Sequence, residues 1–345
     1  MSADPFAAGL LGRLPAPPRS MVLVRPSRLG DFLCATPTFR ALRAALPEAR
    51  ITIVTLPLLR DLATRLPYFD EYVAFPGFPG IAEQLFDAQR ALAFFTAMQA
   101  RRFDLAVQMY ESGVYSNPFT LMLGARHTAG FVRSSDRADL LDAALPIPRE
   151  GHEVDRVLAL AEFLGVPSQG RETEWPVRDK DDAVAEALIG AEERPLIGLH
   201  PGAQEPGRRW NPRHLGRVGA ELWRRQGGTL IVLGGRNDVG LAEVAANEID
   251  EATGNAAPCR NFAAGTPLAA FAALVARLDL LIGNDSGPAH VAYAVGTPCL
   301  VVHDGSQVER YGPPSGGGHA GVTGPDLKDV VVADVVRAAE AMLSR

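Results

Sequence analysis

Cysteine is scarce in this chain. Cys34, Cys259 and Cys299 are odd in number, far apart and in no C-x-x-C pair, which argues against a disulfide framework or a structural zinc site and fits a reducing cytoplasm. No run approaches the ~18 apolar residues of a membrane span. The start, "MSADPFAAGLLGRLPAPPRS", lacks the basic n-region and continuous apolar core of a signal peptide. There is no excess of basic residues. The formal net charge is -6, which argues against a partner that presents a nucleic-acid backbone. The P-loop pattern G-x-x-x-x-G-K-[ST] is missing, and so is a clean G-x-G-x-x-G after the first apolar run, so neither a P-loop ATPase nor a dinucleotide dehydrogenase is indicated. No acidic pair with metal-ligand spacing accompanies the glycine-rich loops.

What is present is a soluble globular composition, 47% hydrophobic and 21% charged over 345 residues, enough for two domains. Short apolar runs alternate with amphipathic stretches. Strands are expected at 21–25, 49–57, in "EYVAFP" and at 103–110, with helices from Phe32 to Leu46 and over 82–101. After the helix at 152–165 the chain becomes polar and proline-containing, and the pattern then restarts. "RPLIGLHPG", "TLIVLGG", "DLLIGN" and "PCLVVH" read as strands. Helices are expected from Asn211 as N-cap with Pro212 at N1, from Thr266 and Pro267, and at the terminus from a cap near Asp334. This alternation implies two doubly wound, parallel α/β domains in tandem, Rossmann-like and facing a central cleft. The boundaries read as a flexible lead-in (1–20), an N-terminal domain (21–170), a linker (171–182), a C-terminal domain (183–327) and a terminal helix (328–345). Ligands in such sheets bind at the carboxyl ends of the strands.

Three stretches at strand ends could carry chemistry. In "GNDSGPAH" (283–290), Gly283 and Gly287 permit a turn and close approach, Ser286 adds a hydroxyl, and the following helix start favours an anion. The same stretch also reads as a plain strand-to-helix turn capped by Asp285. "HPGAQEPGRRWNP" (200–212) offers Arg208 and Arg209, whose guanidinium forks match phosphate oxygens, or which simply face solvent. In "LGGRNDVG", Asp238 could accept ribose hydroxyls or cap the next helix. Two such loops in one sheet suggest a single diphosphate site. A fourth stretch, "LGDFLCATP" (29–37), places a lone acid, Asp31, where the first strand hands over to a helix.

The ordered set "VLVRPSRLGDFLCATPTFRALRAALP", "HPGAQEPGRRWNP" with "VLGGRND", and "ARLDLLIGNDSGPAHVAYAVGTP" resembles the family-nine glycosyltransferases, the ADP-heptose:lipopolysaccharide heptosyltransferases and their relatives. The resemblance runs from about residue 21 to 313. It implies a GT-B fold, an N-terminal acceptor domain, a C-terminal nucleotide-sugar domain, and an inverting, metal-independent transfer with no cofactor. It implies that Asp31, the acid of the "LGD" motif, is the general base, whose alternative role is to cap its helix. Arg208 then meets the donor phosphates, with Arg209 assisting and the backbone at Ser286 and Gly287 forming the phosphate turn. Asp285 is expected on sugar hydroxyls or as a cap, because a carboxylate cannot usefully face a diphosphate. His290 either steadies the loop, reaches the diphosphate, or is merely packed. Arg28 and Arg133, with Arg25, Arg40 and Arg137, could meet an anionic acceptor or form a solvated face.

The resemblance breaks after "PCLVVH". Where the family usually continues Gly-Pro-Thr, this chain has "DGSQVERYGP" (304–313), in which Asp304 brings negative charge and Ser306 a hydroxyl. The expected partners are a nucleotide-sugar, probed first as ADP-heptose, and a glycolipid or glycan acceptor met at the inner membrane surface, with no nucleic acid. The alternatives are a GT-B-fold sugar-nucleotide epimerase, which needs more acids and histidines than Asp31 and His290, and a catalytically silent nucleotide-sugar-binding module. Metal independence has a direct check: turnover should survive EDTA. Complete loss restored by Mg²⁺ or Mn²⁺ would contradict a site that neutralises the leaving diphosphate with N–H groups and arginine alone.

Overall fold

The computed structural model describes residues 4–133 and 140–344, so Arg137 lies outside the described residues. The chain forms two compact units, residues 1–173 and 174–345. Unit 1 holds β1 (Ser20–Val24), β2 (Arg50–Thr55), β3 (Glu71–Ala74), β4 (Leu105–Gln108), β5 (His127–Val132) and β6 (Ala143–Pro146). Unit 2 holds β7 (Leu196–His200), β8 (Thr229–Val232), β9 (Cys259–Asn261), β10 (Leu280–Asn284), β11 (Cys299–His303) and β12 (Ala320–Thr323). The sheet orders are β3-β2-β1-β4-β5-β6 and β12-β11-β10-β7-β8-β9. Counted from each unit's own first strand, both read 3-2-1-4-5-6, and β1 pairs in parallel with β2 and β4 as β7 does with β8 and β10. Strand order therefore reverses between β1 and β4 and between β7 and β10. These are the switch points at which doubly wound sheets bind ligands.

The central strands are apolar because helices cover both faces of each sheet. Met21 to Val24 and Leu196 to His200 are all buried. In unit 2 the core gathers Ile197, Leu199, Leu230, Val232, Ile282 and Val302 around buried Trp210. In unit 1, Phe75, Phe78, Phe94 and Phe95 pack on Phe119. No helix among the described residues is long and apolar enough to cross a membrane.

Several local expectations change. The helix expected from Phe32 to Leu46 is two helices, Leu29–Cys34 and Thr36–Ala45. Pro37 has no N–H to continue the ladder, and the Thr36 hydroxyl donates to the Leu33 carbonyl instead, at 2.7 Å. The helix expected over 82–101 is confined to Ala88–Gln99, because Asp87 caps it by accepting from the Arg90 N–H at 2.7 Å. Asn211 does cap Pro212–Gln226, accepting from the Arg213 N–H at 3.0 Å. Thr266 does not cap its helix: Leu268–Ala276 begins after Pro267, which is extended. Asp334 sits inside the first turn of Val332–Leu343, where its charge suits the helix dipole, while Val331 occupies the cap.

The segment expected as a loose lead-in is tied to its unit. Leu10 is buried, the Gly9 N–H donates to the Phe163 carbonyl at 2.7 Å, and the Ala144 N–H donates to the Pro5 carbonyl at 2.7 Å. The division between units falls inside the expected linker, in which the helix Asp179–Ile189 already begins. Strands β5, β6, β9 and β12 have no strong sequence signal. Of these, β5 carries Gly130, where a Cβ would stand 2.7 Å from the Gln108 Cβ. The buried Gln108 amide fills that space and accepts from the Phe131 N–H at 3.0 Å.

Two helical glycines predict opposite outcomes. A Cβ on Gly216 would lie 2.5 Å from the Ala245 carbonyl oxygen, whereas one on Gly240 meets nothing within 4 Å. Gly216→Ala should destabilise by about 1–3 kcal/mol through overpacking, despite alanine's better helix propensity. Gly240→Ala should stabilise by about 0.4–1 kcal/mol. Urea denaturation of both variants reads the two signs.

Candidate active site

In unit 2 the two loops singled out in the sequence leave adjacent strands. Loop 201–210 follows β7 and loop 285–287 follows β10, across the switch point. Asn284, 4% exposed, locks them together. Its Oδ1 accepts from the Trp210 N–H at 2.9 Å, and its Nδ2 donates to the Pro201 and Gly202 carbonyls at 2.8 and 3.2 Å. The Trp210 indole in turn donates to the Val330 carbonyl at 3.2 Å. Every polar group of this buried amide is thus used, the condition under which burial is tolerated. No local pattern in the sequence marks Asn284; its position as the last residue of a central strand is the available signal.

Arg208 and Asp285, one from each loop, form an ion pair. Asp285 is therefore neither the cap of the helix Gly287–Val295 nor oriented by it. Ser286 occupies that N-cap position and makes no side-chain cap bond. The expected cap fails because the guanidinium across the loop pair offers a charged donor. Arg209 is turned back on its own loop, donating to the Ala203 and Gln204 carbonyls at 2.6 and 3.3 Å. It braces the backbone that carries Arg208. The Ser286 hydroxyl donates to the Asn284 carbonyl at 3.1 Å and lies 3.5 Å from His200 Nδ1. Pro288 has no N–H and the Ala289 N–H bonds to the Ser286 carbonyl, so Ser286 and Gly287 supply the amides of this anion-favouring helix start. Gly283 is required for close strand approach: a Cβ there would lie 2.8 Å from the His200 carbonyl oxygen.

His290 is buried, with its ring edge-on to Tyr293 and Tyr311 at 5.6 and 5.9 Å between centroids. Asp238 precedes the helix Val239–Thr253 but makes no side-chain cap bond. Its carboxylate points to the strand ends, accepting from the Gly235 N–H at 2.9 Å and standing 3.7 Å from His200 Nε2. It fills the space above Gly202, where a Cβ would lie 2.2 Å from Oδ1. Burial raises the Asp238 pKa, but the bonds from His200 and Gly235 and the charge of Arg209 outweigh it, and the carboxyl titrates below its ordinary range.

Beside these loops, Arg208, Asp285, Val302, His303, Asp304 and Leu327 line a shallow recess. Ser306 is already engaged there. Its N–H and hydroxyl both donate to Asp304 Oδ1, at 2.9 and 2.6 Å, holding that carboxyl below its usual range. Burial lowers the His303 pKa against the opposing charges of Asp285 and Asp304.

In unit 1 the corresponding strand ends carry Asp31. It is the third residue of Leu29–Cys34, half-buried, and Arg28 is the N-cap. Asp31 is therefore not the helix cap. Nearby, Tyr110 at the end of β4 donates its hydroxyl to Glu83 at 2.6 Å, and Arg28 Nε is 4.0 Å from the same carboxylate. Burial first, then the Glu83 bond and the charges of Glu111, Glu83 and Asp31 push the Tyr110 phenol well up, so it remains a neutral donor. Glu83 and Tyr110 were missed in the sequence. Tyr110 sits where the strand-end rule points, but nothing local marks Glu83.

The other arginines separate. Arg25 is buried against Met109, Asp31 and Glu153, not presented to an acceptor. Arg40 donates to the Gln169 and Glu172 carbonyls at 3.2 and 3.1 Å, holding the end of unit 1. Arg133 is exposed just past the end of β5. Arg28 is half-exposed near Asp31.

The low Asp238 pKa fixes a sign. A depressed carboxyl contributes stability that is complete above the unfolded value of about 3.9 and is lost as pH falls through the folded value. Asp238→Asn should be less stable than the parent chain at neutral pH, and the gap should shrink on acidification to pH ~2–3. Thermal unfolding across this range checks it; a constant gap would refute the electrostatic origin.

Comparison with known proteins follows the same lines. Residues 91–317 match the family model for glycosyltransferase family 9 (heptosyltransferase). The chain is 28% identical over 307 residues to lipopolysaccharide heptosyltransferase 2 of Escherichia coli K12, covering 85% of each, and 27% identical to the Salmonella typhimurium protein of that name at the same coverage. Its fold matches a family 9 glycosyl transferase from Veillonella parvula with TM-score 0.82 at 21% identity, over 94% of this chain and 97% of that one. It matches E. coli ADP-heptose lps heptosyltransferase II with TM-score 0.74 at 23% identity, over 94% and 98%. The family model spans about two thirds of the chain, the sheets carry the matching fold, and the protein belongs to glycosyltransferase family 9, the heptosyltransferase family.

Proposed function

We propose that this glycosyltransferase moves heptose from ADP-heptose to a lipopolysaccharide-core or related cell-surface glycan, with inversion at the anomeric carbon and without a metal ion. The observation that carries this reading is the pair of loops locked by Asn284, which set Arg208 against Asp285, the residue that precedes the Ser286 and Gly287 amides. Arginine and helix-start amides together suit a diphosphate. Relatives named as lipopolysaccharide heptosyltransferases suggest the acceptor class, and E. coli heptosyltransferase WaaC, solved with ADP and with ADP-2-deoxy-2-fluoro heptose, suggests the donor.

In this reading an acceptor hydroxyl attacks C1 of the sugar from the face opposite the leaving group. The C1–O bond to the β-phosphate breaks, ADP departs, and the hydroxyl proton passes to the Asp31 carboxylate. General-base assistance of this kind contributes about 10²–10⁴-fold. Asp31 suits the role because it is half-buried at the unit 1 switch point and does not occupy the cap of its helix. Arg208 must exchange Asp285 for the donor's phosphates, so the ion pair keeps the cation oriented before the donor arrives. Glu83, Tyr110 and Arg28 then flank the acceptor.

The test is Asp31→Asn. It should lower kcat by about 10²–10⁴-fold and leave ADP affinity, measured by calorimetry, unchanged, with ADP binding more tightly than UDP. Normal turnover in the asparagine variant would remove the base assignment. Preference for UDP would remove the donor assignment alone.

A further inference from the structure

Beneath Asp31 lies a polar network that neither substrate needs to touch. Arg25 is 2% exposed and Glu153 5%. The Arg25 guanidinium donates to the Met109 carbonyl beyond β4, to the Asp31 backbone carbonyl at 2.8 Å, and to Glu153 Oε1 at 3.2 Å. The other Glu153 oxygen accepts from Arg156 at 3.1 Å, and Arg156 Nε donates to the Pro148 carbonyl at 2.8 Å. Glu153 is the first residue of the helix Glu153–Leu164, on which the Asp31 helix packs through Cys34, Val154 and Leu158.

Buried ion pairs are poor stabilisers, since apolar residues of similar volume usually do as well. What this one supplies is geometry. A planar guanidinium has donors in fixed directions, and here they join the end of β4, the first turn of the Asp31 helix and a buried carboxylate. We propose that Arg25 is a positioning residue for catalysis: its bond to the Asp31 carbonyl, aimed by Glu153, sets where the Asp31 carboxylate stands relative to the acceptor hydroxyl. This rests on Asp31 being the base. Small displacements of a catalytic group cost up to about 10²-fold in rate, so the effect should appear in turnover and not in donor binding.

The experiment is a double-mutant comparison in the full chain. Lysine at this position keeps the charge but cannot reach three acceptors in the guanidinium's directions. Arg25→Lys should lower kcat on the order of 10- to 100-fold, with the donor KM and ADP affinity unchanged. In an Asp31→Asn background the same change should cost nothing more, because its effect passes through the carboxylate that is no longer there. Glu153→Gln, which keeps the shape and one acceptor oxygen, should give a smaller loss with the same pattern. It carries the test if near-UV circular dichroism shows that Arg25→Lys is misfolded. An equal loss in both backgrounds would mean a merely structural role and overturn the proposal, as would unchanged kcat in Arg25→Lys beside an inactive Asp31→Asn. A fully active Asp31→Asn would overturn the base assignment, and positioning with it.

Discussion

Each half of this protein depends on a buried side chain that ties together the two loops at its switch point. In unit 1 it is Arg25, which leaves the end of β1 and holds the Met109 carbonyl beyond β4. In unit 2 it is Asn284, which ends β10 and holds the Pro201 and Gly202 carbonyls beyond β7. The constraint is general. Where strand order reverses, neighbouring loops diverge, and their backbone groups lose sheet partners while still shielded from water. A buried carbonyl without a donor costs about 1–3 kcal/mol. An arginine or an asparagine supplies the donors and fixes the loop spacing at the same time. Asp31 in unit 1, and Arg208 with Ser286 and Gly287 in unit 2, stand on backbone held this way.

The electrostatics of unit 2 follow from that spacing. Joining the loops places Arg208 against Asp285, and braces Arg209 on its own backbone. Asp238 sits inward, over Gly202 and near His200. The divergent segment after β11 adds Asp304, already satisfied by Ser306, to the recess beside Arg208. Arg208 is therefore paired with Asp285 while its charge also acts on Asp304. In unit 1 the counterpart is the Tyr110 phenol, kept neutral by burial and by Glu83, next to a carboxylate.

Much of this was legible in the chain because parallel sheets write themselves as uninterrupted apolar runs. "MVLV", "LIGLH", "TLIV" and "LLIGN" needed no tertiary knowledge, and neither did the cap at Asn211 or the two loops with glycine, arginine and serine at strand ends. The edge strands β6, β9 and β12 were not legible, since they are short and carry alanine, glycine or polar residues. Such strands form because a neighbouring strand offers a free ladder, not from their own propensity. The break at Ala35 is a smaller case: Pro37 was visible, but its effect depended on the Thr36 hydroxyl taking over the Leu33 carbonyl.

The sequence alone determined the doubly wound class, the division into two units, the family and the identity of the acid at position 31, because each follows from local periodicity or from residues adjacent in the chain. Tertiary structure decided who meets whom. That Asp285 turns to Arg208 and not to its helix, that Asp238 faces His200, that Glu83 reaches Tyr110, and that Glu153 lies behind Arg25 are contacts between residues 27 to 128 positions apart. No local pattern encodes such pairs, since a charged side chain goes to whichever partner the fold brings within reach while water is excluded.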